Sequence, residues 1–177
     1  MELFDVLDES GNFTGEVKSR EKVHLEGDWH RTVHCWVLNE NRELLLQLRG
    51  PNQEANPNMW DTSCAGHISA GEDVEISVER ELEEELGVIA SSASLIHLGT
   101  CKGEFKSGKV MDREFSEIFL LRDISKSYSF KLCEKEVSAV KWMAWTELRE
   151  QIMSKRSGYV DHPQEFQLLF QYLEQLA

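Results

Sequence analysis

The chain has 177 residues, of which 41% are hydrophobic and 29% are charged, and its formal net charge at pH 7 is −13. This length and composition predict one soluble globular domain with a core large enough to fold without disulfides. The negative charge argues against nucleic acid or an anionic membrane as a partner, because both would be repelled. It does not exclude a small phosphorylated substrate, since a bound metal ion inverts the local field.

The four cysteines are isolated from one another in the sequence, and none forms a C-x-x-C pair. The first ten residues lack the basic region of a secretory leader, and no apolar run is long enough to cross a bilayer. We therefore expect reduced thiols, a cytoplasmic location and no membrane partner. The cysteines are Cys35, Cys64, Cys101 and Cys133.

Seven short segments that alternate or are apolar on both faces predict strands, and three segments in which apolar residues recur every three or four positions predict helices. The strands are predicted at residues 2–7, 15–18, 33–38, 43–48, 94–102, 109–122 and 137–144, and the helices at 74–86, 145–153 and 164–176. The first two strands form an N-terminal hairpin extension within residues 1–25, and the next two form a central hairpin. This order of elements predicts a mixed sheet covered on both faces.

Three loops separate these elements, and loops commonly carry binding residues. They cover residues 50–58, 103–108 and 126–136. The first of them leads into the segment before the first helix, so it is a natural rim for a site.

The first helix carries an apolar stripe and, beside it, a patch of carboxylates. The stripe consists of Val74, Val78, Leu82 and Leu86. At about 100° per residue, Glu81, Glu84 and Glu85 fall within roughly a quarter turn at the border of the stripe. Three like charges at this spacing repel one another, and a hard divalent cation would remove that repulsion. An ordinary solvated helix face is the alternative explanation of the glutamates alone.

Residues 66–88 extend this pattern over a longer segment. They read Gly66, Glu72, then Arg80-Glu81-Leu82, Glu84-Glu85 and Gly87-Val88. This arrangement resembles, without a departure, the signature of the Nudix hydrolases, G-x5-E-x7-R-E-U-x-E-E-x-G-U with U a bulky aliphatic residue. The resemblance implies an α/β fold, a Nudix-type α/β/α sandwich with a mixed sheet. It also implies a single Nudix domain over residues 1–177, with a catalytic loop and helix at 66–88 and a C-terminal helix at 162–177.

The resemblance also implies a role for each residue of the signature. Glu84 and Glu85 would bind a metal, Glu81 would be a ligand or the general base, and the carbonyl of Gly66 would complete the shell. Arg80 would orient a glutamate, and Glu72 would hold the loop onto the helix. The expected catalytic residues are Glu81, Glu84, Arg80 and Glu114, and the expected metal ligands are Glu81, Glu84, Glu85 and Gly66. The cofactor would be Mg²⁺ or Mn²⁺, which prefer oxygen ligands.

The general base outside the helix stays open at this point. A base elsewhere in the chain is common among Nudix hydrolases, and four glutamates are available for it. They are Glu114, Glu117, Glu134 and Glu136. The reaction that the resemblance implies is attack of a metal-activated water on a diphosphate.

A second resemblance covers the chain up to about residue 122. The segments FDVLDESG, HRTVHCWVLN, LLLQLR and WDTSCAGHISAGE are similar to the branch of Nudix proteins nearest to isopentenyl-diphosphate isomerase. That enzyme binds a divalent metal through histidines and glutamates and uses a cysteine immediately before a Gly-His pair. By this match His24, His30 and His67 are possible additional metal ligands, with Asp112 and Glu114 near the acidic pair. The match at His24 needs a one-residue gap.

Two features of this sequence depart from the isomerase. Ala65 precedes the Gly66-His67 pair, and Cys64 is displaced by one residue, which in an extended segment turns its side chain to the opposite face. The signature helix, which degenerates in the isomerase, is intact here, and this favours hydrolysis. Without the resemblance, His24, His30 and His34 would read as one surface histidine and two that form hydrogen bonds within the sheet.

Three functions follow from these observations. The first is a divalent-metal-dependent hydrolase that cleaves the diphosphate of a small nucleoside- or isoprenoid-diphosphate-like substrate. The second is an isopentenyl-diphosphate isomerase, and the third is a Nudix-fold module that binds a ligand without turnover. The expected partner is a small-molecule diphosphate, and the expected state is a monomer or a homodimer.

Overall fold

A mixed sheet of nine strands is the centre of the part of the chain that the computed structural model describes, residues 2–107 and 110–176. Four α-helices and one short 3₁₀-helix accompany it in this part. In chain order the elements are β1 (Leu3–Leu7), β2 (Phe13–Ser19), α1 (Arg20–Glu26), β3 (Trp29–Asn39), β4 (Glu43–Arg49), β5 (Trp60–Asp61), β6 (Cys64–His67), α2 (Val74–Leu86), the 3₁₀-helix (Ser92–Ser94), β7 (Leu95–Ser107), β8 (Val110–Ile124), β9 (Val137–Ala144), α3 (Trp145–Met153) and α4 (Pro163–Gln175).

Strand β3 connects the two halves of the sheet. One of its edges pairs in parallel with β8, which in turn pairs antiparallel with β7. The other edge meets β1, β6 and β4 in succession. The predicted central hairpin is therefore wrong in one respect, since β3 and β4 pair only at Leu38 and Leu44, next to their turn. Beyond that point β6 occupies the edge of β3, and β4 pairs with β5 and β9.

The side chains of β3 alternate between two apolar clusters. Val33, Cys35 and Val37 pack beneath α2, whereas Trp36 and Leu38 pack beneath α3 and α4. Both faces of the sheet are thus covered by helices, and the predicted α/β/α sandwich with a mixed sheet is confirmed. Towards the start of β3, the positions on the α4 side become polar, and these are the positions that border the site.

Helix α2 forms where its local sequence predicts it. The Asp73 side chain accepts a hydrogen bond from the Glu75 N–H at 3.0 Å, and Gly87 ends the helix in the left-handed region with φ 67°. The segment after β8 also covers the C-terminus of the helix, because the N–H groups of Lys131 and Cys133 donate to carbonyls of its last turn. None of the described helices combines the length and the apolarity needed to cross a bilayer.

The structure differs from the predicted elements in two further places, at the N-terminal hairpin and at the turn between β7 and β8. The N-terminal extension is not only a hairpin, since α1 follows it and packs Val23 against Phe4 and Val6. The predicted turn at 103–108 is shorter, because β7 continues to Ser107 in a long antiparallel ladder with β8. Gly108 and Lys109, which belonged to the predicted turn and strand, lie outside the described residues.

Candidate metal centre and substrate cavity

A cavity of about 830 Å³ lies between the polar half of the sheet, the carboxylate edge of α2 and the start of α4. Elements distant in sequence therefore contribute to one site. Ten of its lining residues matter most for the chemistry. They are His24, His34, Gly66, His67, Glu81, Glu84, Glu85, Asp112, Glu114 and Glu136.

Three carboxylates of α2 face this cavity, and they differ in how deeply they are buried. Glu81 and Glu85 are buried, and the side chain of Glu84 is 61% exposed at the rim. Burial raises the pKa of Glu81 to about 7 in spite of its ion pair with Arg80. Burial also raises the pKa of Glu85 well above its usual value, and the nearby charges of Glu81 and Glu136 raise it further. Buried carboxylates in this state are what a bound cation would stabilise.

Arg80 fixes the orientation of the signature loop. Its guanidinium donates two hydrogen bonds to Glu72, at 3.2 and 3.1 Å, and one to the carbonyl of His67 at 3.0 Å. A further bond of 2.7 Å reaches Oε1 of Glu81. Glu72 also accepts from the Ser77 hydroxyl at 2.7 Å. A planar, multivalent donor of this kind holds two carboxylates and a backbone carbonyl in fixed positions.

Gly66 lies where a side chain would destroy the site. A Cβ built on Gly66 would overlap the carboxylate of Glu81. Only glycine lets the backbone of β6 approach that carboxylate so closely. This contact explains in physical terms why the signature begins with glycine.

A second group of side chains converges next to the carboxylates, and we call it the unpaired cluster: His24, His30, His67 and Asp112. Nε2 of each histidine and Oδ1 of Asp112 are buried and have no hydrogen-bond partner among the described residues. Nε2 of His24 and Nε2 of His30 lie 3.7 and 3.4 Å from Oδ1 of Asp112. Glu114 Oε1 is 3.9 Å from Nε2 of His30 and 3.8 Å from Nε2 of His67. These separations exceed a hydrogen bond and suit atoms arranged around a cation.

The electrostatics of the unpaired cluster agree with this geometry. Burial lowers the pKa of His24, His30 and His67, so all three rings favour the neutral form that binds metals. Nδ1 of His30 donates to the carbonyl of Asp28 at 3.2 Å, which leaves the lone pair of Nε2 directed at the cluster. The alternative interpretation of His24, His30 and His34 as one surface histidine and two bonded within the sheet is wrong, since all three are buried and His34 bonds Glu165 of α4.

His67 differs from the other two histidines in its tautomer. Arg20 NH1 lies 3.1 Å from Nδ1 of His67, and an arginine can only donate, so Nδ1 is the acceptor and Nε2 carries the ring proton. His67 can bind a cation through Nε2 only after this proton leaves. The half-exposed Arg20 side chain would then have to release Nδ1. The residues otherwise fit a metal.

A third group also lines the cavity, and we call it the paired cluster: His34, Asp61, His162 and Glu165. Nδ1 of His34 lies 2.8 Å from Oε2 of Glu165, and Nε2 of His162 lies 2.7 Å from Oδ1 of Asp61. Trp36 Nε1 donates to the other oxygen of Glu165 at 2.7 Å. His34, His162 and Glu165 are close enough together to hold a metal. Their hydrogen bonds already occupy the facing atoms, so we do not assign them one.

The ionisation of the paired cluster follows from its bonds. Burial lowers the pKa of both histidines, but the carboxylates outweigh it, so the pKa of His34 lies above its usual value and that of His162 rises to about 9. Burial raises the pKa of Asp61 and of Glu165, and the histidines outweigh it and bring both below their usual values. Only His34 was considered in the sequence, because the other three residues carry no local motif.

Comparisons with known proteins agree with the signature segment. The sequence model of the NUDIX domain matches residues 28–162. The chain belongs to the Nudix family. Nudix hydrolase 3 of Arabidopsis thaliana is 40% identical over 183 residues, which cover 98% of this chain and 23% of that protein. An uncharacterized Nudix hydrolase of Clostridium acetobutylicum is 40% identical over 160 residues, which cover 89% of this chain and 77% of that protein.

More distant Nudix proteins show the same fold. A crystal structure of a Deinococcus radiodurans protein superposes with a TM-score of 0.67 at 20% identity and covers 94% of this chain and 97% of its own. An isopentenyl-diphosphate Delta-isomerase of Mycolicibacterium vanbaalenii is 24% identical over 148 residues, 84% of this chain and 80% of that protein. The Nudix hydrolases confirm the predicted enzyme class, a hydrolase acting on phosphorus-containing anhydrides, and members of this family generally use divalent metals.

The four glutamates outside α2 that are candidates for the general base lie in different parts of the structure. Glu114 and Glu136 line the cavity. Glu117 accepts hydrogen bonds from Thr100 and His97 on another part of β7 and β8, and Glu134 is exposed. Burial raises the pKa of Glu114 to about 7, and the charge of Asp112 contributes. The geometry therefore reduces the candidates outside α2 to two.

The cysteine used by isomerases has no equivalent in the cavity of this Nudix protein. Ala65 lines the cavity, whereas the side chain of Cys64 belongs to the apolar cluster beneath α2 and is fully buried. Cys64 lies opposite Cys35 on the neighbouring strand, and its pKa is raised by a hydrogen bond with that thiol and by burial. A buried thiol with a raised pKa is a poor proton donor to a substrate in the cavity.

Proposed function

We propose that this protein is a divalent-metal-dependent hydrolase that cleaves the diphosphate linkage of a small nucleoside- or isoprenoid-diphosphate-like substrate. The observation that carries this proposal is the pair of buried carboxylates, Glu81 and Glu85, packed against the backbone of β6 at the edge of a large cavity. Burial raises the pKa of both carboxylates, the charge of Glu81 raises that of Glu85 further, and of these two only Glu81 is bonded to Arg80. Such an arrangement is costly unless a cation shares the site.

Glu81, Glu84, Glu85 and the carbonyl of Gly66 are the residues that would hold this metal. Their donor atoms are all oxygens, which favours Mg²⁺ or Mn²⁺. When bound, such an ion lowers the pKa of water and neutralises charge on the leaving phosphate. The unpaired cluster would be a separate site for a divalent ion, with His24, His30 and Asp112 as ligands and His67 joining after Arg20 releases it.

The protein's own residues have two further roles, positioning of the site and proton transfer. Arg80 is a positioning residue, since its donors hold Glu72, Glu81 and the His67 carbonyl. Because Arg80 already engages Glu81, we assign Glu81 to metal binding and the proton transfer to Glu114. Glu114 lines the cavity and can take the proton of the attacking water as the bond between the two phosphates breaks. Glu136 adds a carboxylate close to Glu81 and Glu85.

A time course of phosphorus and proton NMR spectra tests this proposal. The protein is incubated with magnesium and isopentenyl diphosphate, and separately with a pool of nucleoside and sugar diphosphates. The proposal expects signals of monophosphate or inorganic phosphate to appear, and to be absent with EDTA. An intact diphosphate with a shifted alkene signal would instead establish the isomerase. No change with any substrate would favour a binding module.

The isomerase remains the second candidate because of one observation. The unpaired cluster occupies the positions that match the histidine ligands of that enzyme, and it is shaped to receive a cation. The position of Cys64 beneath α2 counts against it, since Cys64 does not line the cavity. The thiol that does line it, Cys101 of β7, is not at the isomerase position, and burial raises its pKa to about 11. Family members that bind small molecules are consistent with a diphosphate as partner. The cytoplasmic location, the monomeric or dimeric state and the extent of the domain over residues 1–177 stay predictions.

A further inference from the structure

No residue of the paired cluster has a catalytic or metal-binding role in the chemistry proposed above, although the cluster lines the same cavity and the charges of His34 and His162 lower the pKa of Glu114. It brings together the middle of β3, the end of β5 and the first turn of α4. His34 and Glu165 are buried, and His162 is partly exposed towards the cavity. Burying so many polar groups is expensive, and none of them supports the carboxylate site directly.

Together with Arg49, the paired cluster carries a net positive charge when both of its histidines are protonated. Arg49 NH1 donates to Asp61 Oδ2 at 3.0 Å, so three basic side chains share two carboxylates. The raised pKa values of the two histidines support their protonated forms at neutral pH. The charge of Glu114, which also lines the cavity, favours the same forms.

His34 offers a free donor to a ligand in the cavity. Its Nδ1 is held by Glu165, and Trp36 fixes Glu165 from the other side. Nε2 of His34 has no hydrogen-bond partner among the described residues, and the side chain lines the cavity. An imidazolium held in this way is preorganised to donate to an anionic oxygen.

Polar groups lie beside the paired cluster as well. Thr32, Ser116 and Gln164 line the cavity there, together with the apolar side chains of Val160 and Pro163. A hydrocarbon chain at this end would strip water from charged and polar groups without replacing its hydrogen bonds. An anionic group, or another strong hydrogen-bond acceptor, would replace the hydrogen bonds that water makes with these groups.

We propose that the paired cluster is the subsite for the second moiety of the diphosphate substrate, and that this moiety carries an anionic oxygen group, a phosphate or a carboxylate, which accepts from Nε2 of His34. The inference rests on the proposed function for the position of the diphosphate. It narrows the substrate class, because isoprenoid diphosphates have only a hydrocarbon to offer at this end. His162 and Glu165 are positioning residues that keep His34 charged and oriented.

A matched set of ligands tests the subsite. It consists of four diphosphate monoesters of equal chain length that end in a methyl, a hydroxyl, a carboxylate or a phosphate group. We expect kcat/KM to be about tenfold higher for the two anionic ends than for the methyl end, the size of one charge-assisted hydrogen bond. In His34→Asn, which keeps a donor for Glu165 and removes Nε2 and the charge, the preference should shrink to about twofold. His97→Asn, a change at an exposed histidine outside the cavity, should keep it.

The same ligands as methylene-bridged bisphosphonates, which cannot be hydrolysed, separate this inference from the proposed function. Their dissociation constants are measured by calorimetry on the wild type, so the test does not depend on the folding of a variant. Preference for the anionic ends without hydrolysis of any diphosphate would support the subsite and reject the proposed function. Equal or tighter binding of the methyl-ended ligand, or a preference unchanged in a folded His34→Asn, would overturn the inference.

Discussion

The unpaired and the paired clusters are built from the same residue types and border the same cavity, yet they are in opposite chemical states. In the unpaired cluster, nitrogens and carboxylate oxygens stand 3.4 to 3.9 Å apart and the histidines have lowered pKa values. In the paired cluster, the corresponding distances are 2.7 and 2.8 Å and the histidines have raised pKa values. About one ångström of separation thus distinguishes the group that we propose as a metal site from the group whose histidines are hydrogen-bonded to carboxylates.

This difference shows that composition alone does not assign a role to a histidine cluster. Both groups are buried, and burial disfavours the charged imidazole in each. What differs is whether a carboxylate makes a direct hydrogen bond that repays this cost. Five predictions follow from the contrast and from the carboxylate edge beside it, in order of expected effect.

The largest effect on activity is expected at Glu84, the exposed carboxylate of α2 at the rim of the cavity. Glu84→Gln should lower kcat/KM on the order of 1000-fold, because a ligand to the metal is lost while the exposed position tolerates the change. Glu83→Gln is the matched control, since Glu83 is the adjacent exposed residue and points away from the cavity. Equal activity of the two variants would show that α2 is not the catalytic element.

In the paired cluster, Glu165→Gln should lower the free energy of unfolding by about 3–5 kcal/mol, because it leaves a buried imidazolium without its counter-charge. Urea denaturation at pH 7 measures this. Glu174→Gln, which breaks the exposed pair with Arg149, should cost less than about 1 kcal/mol. A loss in Glu165→Gln no greater than in this control would mean that His34 is not held charged.

The contribution of His162 should be visible in how the free energy of unfolding changes with pH. Its folded-state pKa of about 9 lies above the unfolded value, so its stabilisation is fully present below about pH 6.5 and is lost as the pH rises through 9. In EDTA we expect the wild type to lose on the order of 2 kcal/mol of unfolding free energy across this window. His162→Gln should show a smaller loss, since His34 also has a raised pKa and remains, and His97→Gln should retain the full loss. Parallel curves for all three proteins would contradict the assignment.

In the unpaired cluster, removing a charge should not lower the stability of the metal-free protein. Asp112→Asn should leave the metal-free protein as stable as the wild type or up to about 1 kcal/mol more stable, because Oδ1 of Asp112 is buried without a hydrogen bond. The same variant should lose part of the rise in melting temperature that divalent ions give the wild type. Thermal unfolding with EDTA and with added Mn²⁺ compares the two. Destabilisation without metal would show that Asp112 is already satisfied.

The smallest effect is expected at Arg20, which holds His67 in the tautomer that cannot bind a cation through Nε2. Arg20→Gln should strengthen Mn²⁺ binding by a few-fold, on the order of 0.5 kcal/mol, because the ring proton can then move to Nδ1. Calorimetric titration measures it, and Arg31→Gln serves as a control at a basic residue outside the cavity. Weaker binding in Arg20→Gln would mean that Arg20 supports the site instead.

The part of the site that could be predicted from the sequence is the part that is local in the chain. The stripe of α2 and the carboxylates beside it follow from helical periodicity, and their positions in the structure agree. The unpaired cluster could be expected only through the resemblance to isomerases, because its four residues come from α1, β3, β6 and β8. Its geometry depends on the parallel register that sets His30 beside Glu114.

The paired cluster could not be predicted, and the reason is physical. Glu165 forms its bonds with His34 and Trp36 across about 130 positions of sequence, and no periodicity encodes that contact. The one error of topology has a similar origin. The pattern of β3 and β4 is that of a hairpin, but β6 competes for the same edge of β3 and takes it.

The contrast between the clusters is tested most directly by long-range ¹H–¹⁵N NMR of the histidine rings at pH 7. In EDTA, His34 and His162 should show both ring nitrogens protonated, and the histidines of the unpaired cluster should be neutral. Addition of Zn²⁺, a diamagnetic probe for imidazole ligands, should shift His24 and His30, move the proton of His67 to Nδ1, and leave the paired cluster protonated. Zinc-induced deprotonation of His34 and His162, with the other three unchanged, would contradict the account.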